Sequence, residues 1–424
     1  MSLVLAGVQV EGPDGAGMPC DVTIVDGVVT AIDPAAPDIG GDSPVERLEL
    51  AGYVLLPAAA EPHAHLDKAL LGDRLPNPSG DLAGAIRAMH AAAPGMTADD
   101  LVDRATRTAL LALAHGTTAI RSHADVGHHS GLRHVTALAQ VRDELRDLLD
   151  LQIVALVAAP TTGREGRDHL VLARAALEAG ADLLGGAPHL DPDPQAAMEA
   201  CLALAAEYGV PVDLHTDETL DPRALGLEWL AEHVLKTGFP HPVTASHCVS
   251  LGMQEPDVAA RVAAVVAQAG IGVVTLPQTN LFLQGRDAPT ATPRGLTAVR
   301  ALLDAGVRVA GGGDNVRDPF NTMGRGDAFE TASLLVTAGH LLPGEALHAV
   351  TTGARAVMGV AQAGIRGQVR VGAAAELVAV RAGSSTEAIA AASQDRVVLH
   401  AGRVVARTRV DRTFPTRDMS HPAR

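Results

Sequence analysis

The chain predicts an α/β protein, a (β/α)8 TIM-type barrel carrying a small β-sandwich-like domain built from both termini. Three observations lead there. Strand-like segments crowd both ends. Helical stretches alternate with short apolar runs through the middle. Histidines and carboxylates recur where those runs stop.

Residues 1 to 57 read as β-structure. Val22-Thr23-Ile24-Val25 and Val28-Val29-Thr30-Ala31-Ile32 flank Asp26-Gly27, a strong hairpin signal. A Gly/Pro/Asp-rich loop follows over 34–44. The same texture returns near the other end, where Glu376–Val380 reads as a strand and Val397–His400, Ala401-Gly402 and Arg403–Ala406 as a second hairpin. Neither half is large enough to bury a core alone, so residues 1–57 and 365–415 are expected to form one composite domain. Residues 58–364 would be the catalytic barrel and 416–424 a C-terminal tail.

Within the barrel, strands are expected near Thr118–Ile120, Leu151–Leu156, Leu183–Gly185, Val212–His215, Val243–Ser246, Gly272–Leu276 and Val307–Gly311. Counting Tyr53–Pro57, the strand before His63, makes eight. Helical patterns separate them, including Ala98–Ala114, Asp168–Ala179, Pro194–Tyr208, Asp257–Ala269 and Thr297–Ala305. A doubly wound open sheet is the alternative, but no Gly-x-Gly-x-x-Gly follows an early strand, so no dinucleotide site is supported.

Composition narrows the partners. Apolar residues are 47% of the 424, which marks a globular protein. A formal charge of −16 argues against nucleic acid and anionic membranes, and leaves a small neutral or cationic molecule as substrate. Cys20, Cys201 and Cys248 are odd in number and widely spaced, so a reducing, cytoplasmic setting is expected. The N-terminus reads as a strand and not a signal peptide, and no apolar run reaches spanning length. Barrels of this kind often form homo-oligomers, but no stretch marks an interface.

Catalytic groups of a barrel gather at the carboxyl ends of its strands. Here those ends carry His63-Ala64-His65, Arg121-Ser122-His123-Ala124-Asp125, His215-Thr216-Asp217-Glu218, Ser246-His247-Cys248 and Gly312-Gly313-Asp314-Asn315. Histidines two apart on a strand share a face, so His63 and His65 could chelate, although a polar turn is the plainer reading. Asp67 and Lys68 could be a solvated pair. With His215 and Asp314 the two histidines make a three-nitrogen, one-oxygen set for one divalent metal, Zn2+ or Fe2+. Such an ion would acidify a bound water toward a pKa of about 7. Glu218 is placed to move a proton from water to the substrate's ring nitrogen and leaving group. His247 can polarise the attacked centre or steady the nucleophile. Asp314 can also accept the nucleophile's proton. The roles of His123 and Asp125, near the rim, stay open. His189 is expected to be structural and His128-His129 a solvated loop pair.

These segments resemble the amidohydrolase superfamily, and within it the cytosine deaminase branch. Glu61–Lys68, Ser122–Val126, Leu151–Ala155, His215–Glu218, Thr244–His247, Leu283–Arg286 and Asp314–Phe320 carry the resemblance over nearly the whole length. It implies a metal-dependent hydrolytic deaminase of a small N-heterocycle, with the four ligands above, Glu218 as proton shuttle, and His247 and Asp314 beside the nucleophile. Binuclear relatives commonly carry a bridging lysine near the fourth strand. Leu183–His189 has none, which favours a single metal.

The pocket departs from cytosine deaminases. Ala158 stands where a glutamine would read the pyrimidine edge, and Leu156 where an aromatic is usual. Asn315 replaces a second aspartate and Phe320 a tryptophan. Asp314–Asp318 looks closer to enzymes acting on N-alkylated triazines such as N-isopropylammelide. The expected reaction is ammonia release from a cytosine-like pyrimidine or related ring. The alternative is alkylamine release from an aminotriazine, or opening of a cyclic amide.

Overall fold

A computed structural model describes residues 2–11, 17–36, 46–360 and 369–413. The expected tail at 416–424 and the start of the C-terminal segment, 365–368, lie outside the described residues, as do residues 37–44 of the expected loop. No helix among the described residues is long and apolar enough to cross a membrane.

The strands fall into two sheets. The first takes β1 (Ser2–Glu11), β2 (Gly17–Val25), β3 (Val28–Pro34), β4 (Glu46–Glu49) and β5 (Tyr53–Pro57) from one end. From the other it takes β14 (Leu377–Arg381), β15 (Arg396–His400) and β16 (Arg403–Thr408). Its order is β16-β15-β14-β5-β1-β2-β3, with β4 paired to β1. Both expected hairpins form. Asp26-Gly27 and Ala401-Gly402 all have positive φ, as a type I′ turn requires. A core of Leu3, Leu5, Val22, Ile24, Leu55, Leu377 and Leu399 covers this sheet.

Tyr53–Pro57 is therefore not the barrel's first strand. β5 pairs antiparallel with β14 in the terminal sheet. The chain then crosses into the second sheet as β6 (Ala59–Ala64). Alanine-rich Ala58-Ala59-Ala60 lacks the branched residues that signal strands, so the stronger apolar run upstream took its place in the sequence reading.

The second sheet is parallel and runs β6, β7 (Thr117–Val126), β8 (Asp150–Val157), β9 (Leu183–Gly186), β10 (Val212–Thr216), β11 (Val243–His247), β12 (Gly272–Thr275) and β13 (Val309–Gly311). Neighbours in sequence are neighbours in space, as βα repeats demand. Closure falls to one residue. The Asp314 N–H donates to the His63 carbonyl at 3.0 Å, and the His65 N–H donates to the Asp314 carbonyl at 3.3 Å.

Local chemistry explains the helices that matched their expected bounds. Helix Ala98–Ala114 starts under Thr97, whose hydroxyl accepts the Asp100 N–H. Helix Pro194–Tyr208 has Asp193 as its cap, proline at its first position and left-handed Gly209 at its end. Two buried joints tie the terminal sheet to the barrel unit. Glu376 accepts from the Thr118 hydroxyl and the Ala401 N–H, both at 2.9 Å. Arg396 on β15 pairs with Asp327 at 2.7 Å.

Candidate active site

Polar side chains climb the inside of the barrel in layers. On β7 residues 121, 123 and 125 share a face. Arg121 is lowest and pairs with Asp213 at 2.8 Å, and Asp213 also accepts from Ser246 at 2.8 Å. His123 lies above, its ring centroid 4.0 Å from that of His63. Asp125 reaches the cavity. The sequence reading stopped this strand at Ile120 and put His123 near the rim; the strand continues to Val126 and buries His123 completely. The alternation of residues 121, 123 and 125 was the available signal.

Above this layer four donor atoms converge. His215 Nε2 is 3.2 Å from both His63 Nε2 and His65 Nε2. Asp314 Oδ1 is 3.3 Å from His65 Nε2 and 3.8 Å from His63 Nε2. Burial, with nearby positive groups, holds the pKa of each imidazole well below the ordinary value, so all three are neutral. Burial, with Glu218, Asp318 and Glu61 nearby, pushes Asp314 well up. Both Asp314 carboxylate oxygens are buried, and neither makes a close hydrogen bond among the described residues. Nitrogens bonded at about 2.0–2.1 Å to a tetrahedral zinc lie about 3.3–3.4 Å apart, so these separations fit the edges of one coordination sphere. His123 also comes within range of His63 and His215, but that trio offers no anionic oxygen.

The surrounding groups fix this cluster. Glu61 accepts the Gly313 N–H at 2.8 Å and the His63 N–H at 3.1 Å, and burial pushes its pKa up to about 8. His189 Nδ1 lies 3.1 Å from the His215 carbonyl, which can only accept, so His189 steadies that strand end. Asp217, His247 and Asp314 all have positive φ without being glycine. Each such residue costs about 1–2 kcal/mol; at His247 and Asp314 it turns a site side chain at a strand end, while Asp217 turns away to accept the Leu227 N–H at 2.9 Å.

Asp67 and Lys68 are not solvated. Lys68 Nζ is 2.6 Å from Asp125, 3.3 Å from Asp67 and 3.3 Å from His65 Nδ1. Asp67 in turn lies 2.7 Å from His134 Nδ1. Burial would raise the Asp67 carboxyl, but Lys68 and His134 hold it well below the usual range. Lys68 remains charged, its pKa raised by Asp125 and Asp67 against the cost of burial.

Glu218 and His247 face the cluster. Burial pushes Glu218 up to about 8 and His247 down to about 3. Glu218 Oε1 is 3.5 Å from His247 Nδ1, and His247 Nε2 is 4.0 Å from Asp314 Oδ2. Asn280, missed by the sequence reading, puts its amide nitrogen 3.2 Å from His247 Nδ1. That nitrogen can only donate, so the neutral His247 ring carries its proton on Nε2.

A cavity of about 410 Å3 opens over these groups, within the usual range for small-molecule sites. His65, His215, Glu218, His247 and Asp314 line it, and so do Leu156, Ala158, Asn315 and Phe320. Asn315 is held by Asp318 at 2.8 Å. A wider surface groove of about 1190 Å3 adjoins at Glu218 and His189 but touches none of the four donors.

A parallel barrel with neutral imidazoles and a carboxylate converging at its strand ends places the chain among metal-assisted hydrolases. Residues 72–406 match the Amidohydrolase family, and the chain belongs to that family. It is an enzyme that hydrolyses carbon–nitrogen bonds. It is 35% identical over 415 residues to the pterin deaminase of Rhizobium rhizogenes (strain K84 / ATCC BAA-868), covering 95% of this chain and 91% of that protein. The crystal structure of 5-methylcytosine deaminase from Klebsiella pneumoniae liganded with phosphonocytosine superposes with a TM-score of 0.86 at 28% identity, over 98% of this chain and all of that one. N-isopropylammelide isopropylaminohydrolase from Burkholderia multivorans ATCC 17616 gives a TM-score of 0.78 at 30% identity, over 96% and 98% of the two chains.

Proposed function

We propose that the enzyme is a hydrolytic deaminase of an amino-substituted N-heterocycle, with fused pterin-type rings as the leading substrate class. The observation that carries this reading is Glu218, buried, its carboxyl pushed up to about 8, beside His247 and the four-donor cluster. Such a group can give a proton to a ring nitrogen and then to a departing amine. Ala158 and Leu156 give the wall apolar surface, and a volume of about 410 Å3 has room for two fused rings. Similarity to a pterin deaminase along nearly the whole chain supports the same class.

His63, His65, His215 and Asp314 would hold one divalent ion, zinc or iron. When bound, that ion supplies Lewis-acid activation of water. Asp314 Oδ2 would take one proton of the attacking water while Glu218 gives its own to the ring nitrogen; Glu218, then anionic, would take the second proton from the new hydroxyl and pass it to the leaving amine, and the proton held by Asp314 would restore the acid form of Glu218. His247 presents Nε2–H to charge developing at the attacked carbon. Asn315, Phe320, Leu156 and Ala158 shape the substrate's bed. The three free cysteines agree with a cytoplasmic location.

The second reading, alkylamine release from an aminotriazine, draws on the N-isopropylammelide enzyme. A panel of pterin, cytosine, isocytosine and N-isopropylammelide, scored for ammonia and for isopropylamine, separates the two. Ammonia from pterin is expected to be fastest. Isopropylamine release alone would overturn the deaminase reading.

A further inference from the structure

On the same cavity, away from the four donors, His128, Glu165 and His169 bring ligand atoms within 4.8 Å of one another. Two segments meet there. His128 follows β7. Glu165 and His169 lie four apart in the helix Gly163–Glu178 and so share a face. His169 is fixed and 3% exposed. Its Nδ1 is 2.9 Å from the Pro160 carbonyl, which only accepts, so Nδ1 carries the proton. The neutral ring then offers Nε2 as a lone pair with no hydrogen-bond partner among the described residues. Gly127 keeps the approach clear, since a Cβ there would come 2.6 Å from Ala158 Cβ and 3.7 Å from His169 Nε2. The His128 ring lies 4.5 Å from that of His169. His128 and Glu165 are exposed, and neither has a hydrogen bond or ion pair among the described residues, so both can swing inward.

We propose that His128, Glu165 and His169 form a second, exchangeable divalent transition-metal site in the mouth of the active-site cavity, and that a cation held there blocks substrate entry. Two imidazole nitrogens and one carboxylate oxygen suit zinc and its neighbours, whereas calcium and magnesium prefer all-oxygen shells. The open coordination positions and the exposure of two ligands make it weaker than the buried cluster.

The test uses zinc-loaded holoenzyme holding one equivalent, equilibrated against rising free Zn2+. Bound zinc is counted per chain and kinetics are read on the same samples. The wild type should take a second equivalent. Because cation and substrate exclude each other, the apparent KM should rise about tenfold at about ten times the dissociation constant, with kcat unchanged. Glu165→Gln and His128→Asn should stay at one equivalent and keep their KM through the titration. A wild type that never exceeds one equivalent overturns the proposal, as does a second equivalent that both variants retain. If the variants raise KM without added zinc while the wild type stays at one equivalent, the trio contacts substrate and the proposal also fails. The metal count does not depend on which heterocycle is turned over, so it stands apart from the deaminase reading.

Discussion

At the scale of single residues, Asn280 shows how a neutral side chain sets the chemistry of a charged site. It touches none of the four donors, yet its amide fixes which His247 nitrogen bears the proton. Asn280→Ala should free that tautomer and lower kcat/KM about 10–100-fold, the usual scale for groups that orient site residues. The loss should fall in kcat rather than KM, with metal content unchanged. An unchanged kcat would remove Asn280 from the account. Nothing in the sequence marks Asn280, because it sits in the helix Pro277–Leu283 and its partner lies 33 residues away at the end of β11. The convergence of four side chains was legible for the opposite reason. His63, His65, His215 and Asp314 sit at strand ends, where local patterning alone predicts a shared rim. Lys68 was not legible. Its burial depends on Asp125 and on Asp67 held by His134, three segments that meet only in the fold.

At the scale of elements, β6 and β13 combine barrel closure with the placing of His63 and Asp314. Gly312 and Gly313 let the chain pass Glu61 closely, and Glu61 fixes both strand ends. A Cβ at Gly312 would lie 2.7 Å from Glu61 Oε1 and 2.8 Å from Leu276 Cδ2. Leu276 is fully buried and has little room to give. Gly312→Ala should destabilise the protein by about 1–3 kcal/mol, as overpacking does. It should also weaken metal retention, since Asp314 hangs from the same turn. A denaturant midpoint together with a metal assay checks both effects. Elements were legible where caps marked them, as at Thr97 and Asp193. They were misassigned at the crossing from β5 to β6, where two short strands adjoin and the weaker pattern belongs to the barrel.

At the scale of the whole molecule, the buried site couples metal to pH stability. Burial moves Glu61 and Glu218 from about 4.5 to about 8, and Asp318 up to about 7. Between the ordinary and raised values the folded chain holds protons that the unfolded chain has released, so stability falls as pH rises and the loss is complete above about 8. The buried histidines are shifted the other way, and their contribution is lost as pH falls below about 6.5. Chelated protein should therefore melt highest between about pH 6 and 7. Metal should raise the melting temperature most above that window, because a cation favours ionised carboxylates. Chelated protein whose melting temperature keeps climbing from pH 7 to 8.5 would contradict this. That two terminal segments share one sheet was legible, because neither could bury a core alone. The depth of the site was not, because it depends on how far β7 extends past its apolar start.

In the proposed mechanism Glu218 moves the proton while four other side chains hold the metal. Glu218→Gln keeps the shape and removes the acid. Metal content and ammonia release from the best substrate of the panel, measured on the same preparation, test this directly. Full metal occupancy, near-unchanged substrate binding and a kcat lowered about 10²–10⁴-fold are expected. A variant that keeps its kcat with metal bound would contradict it.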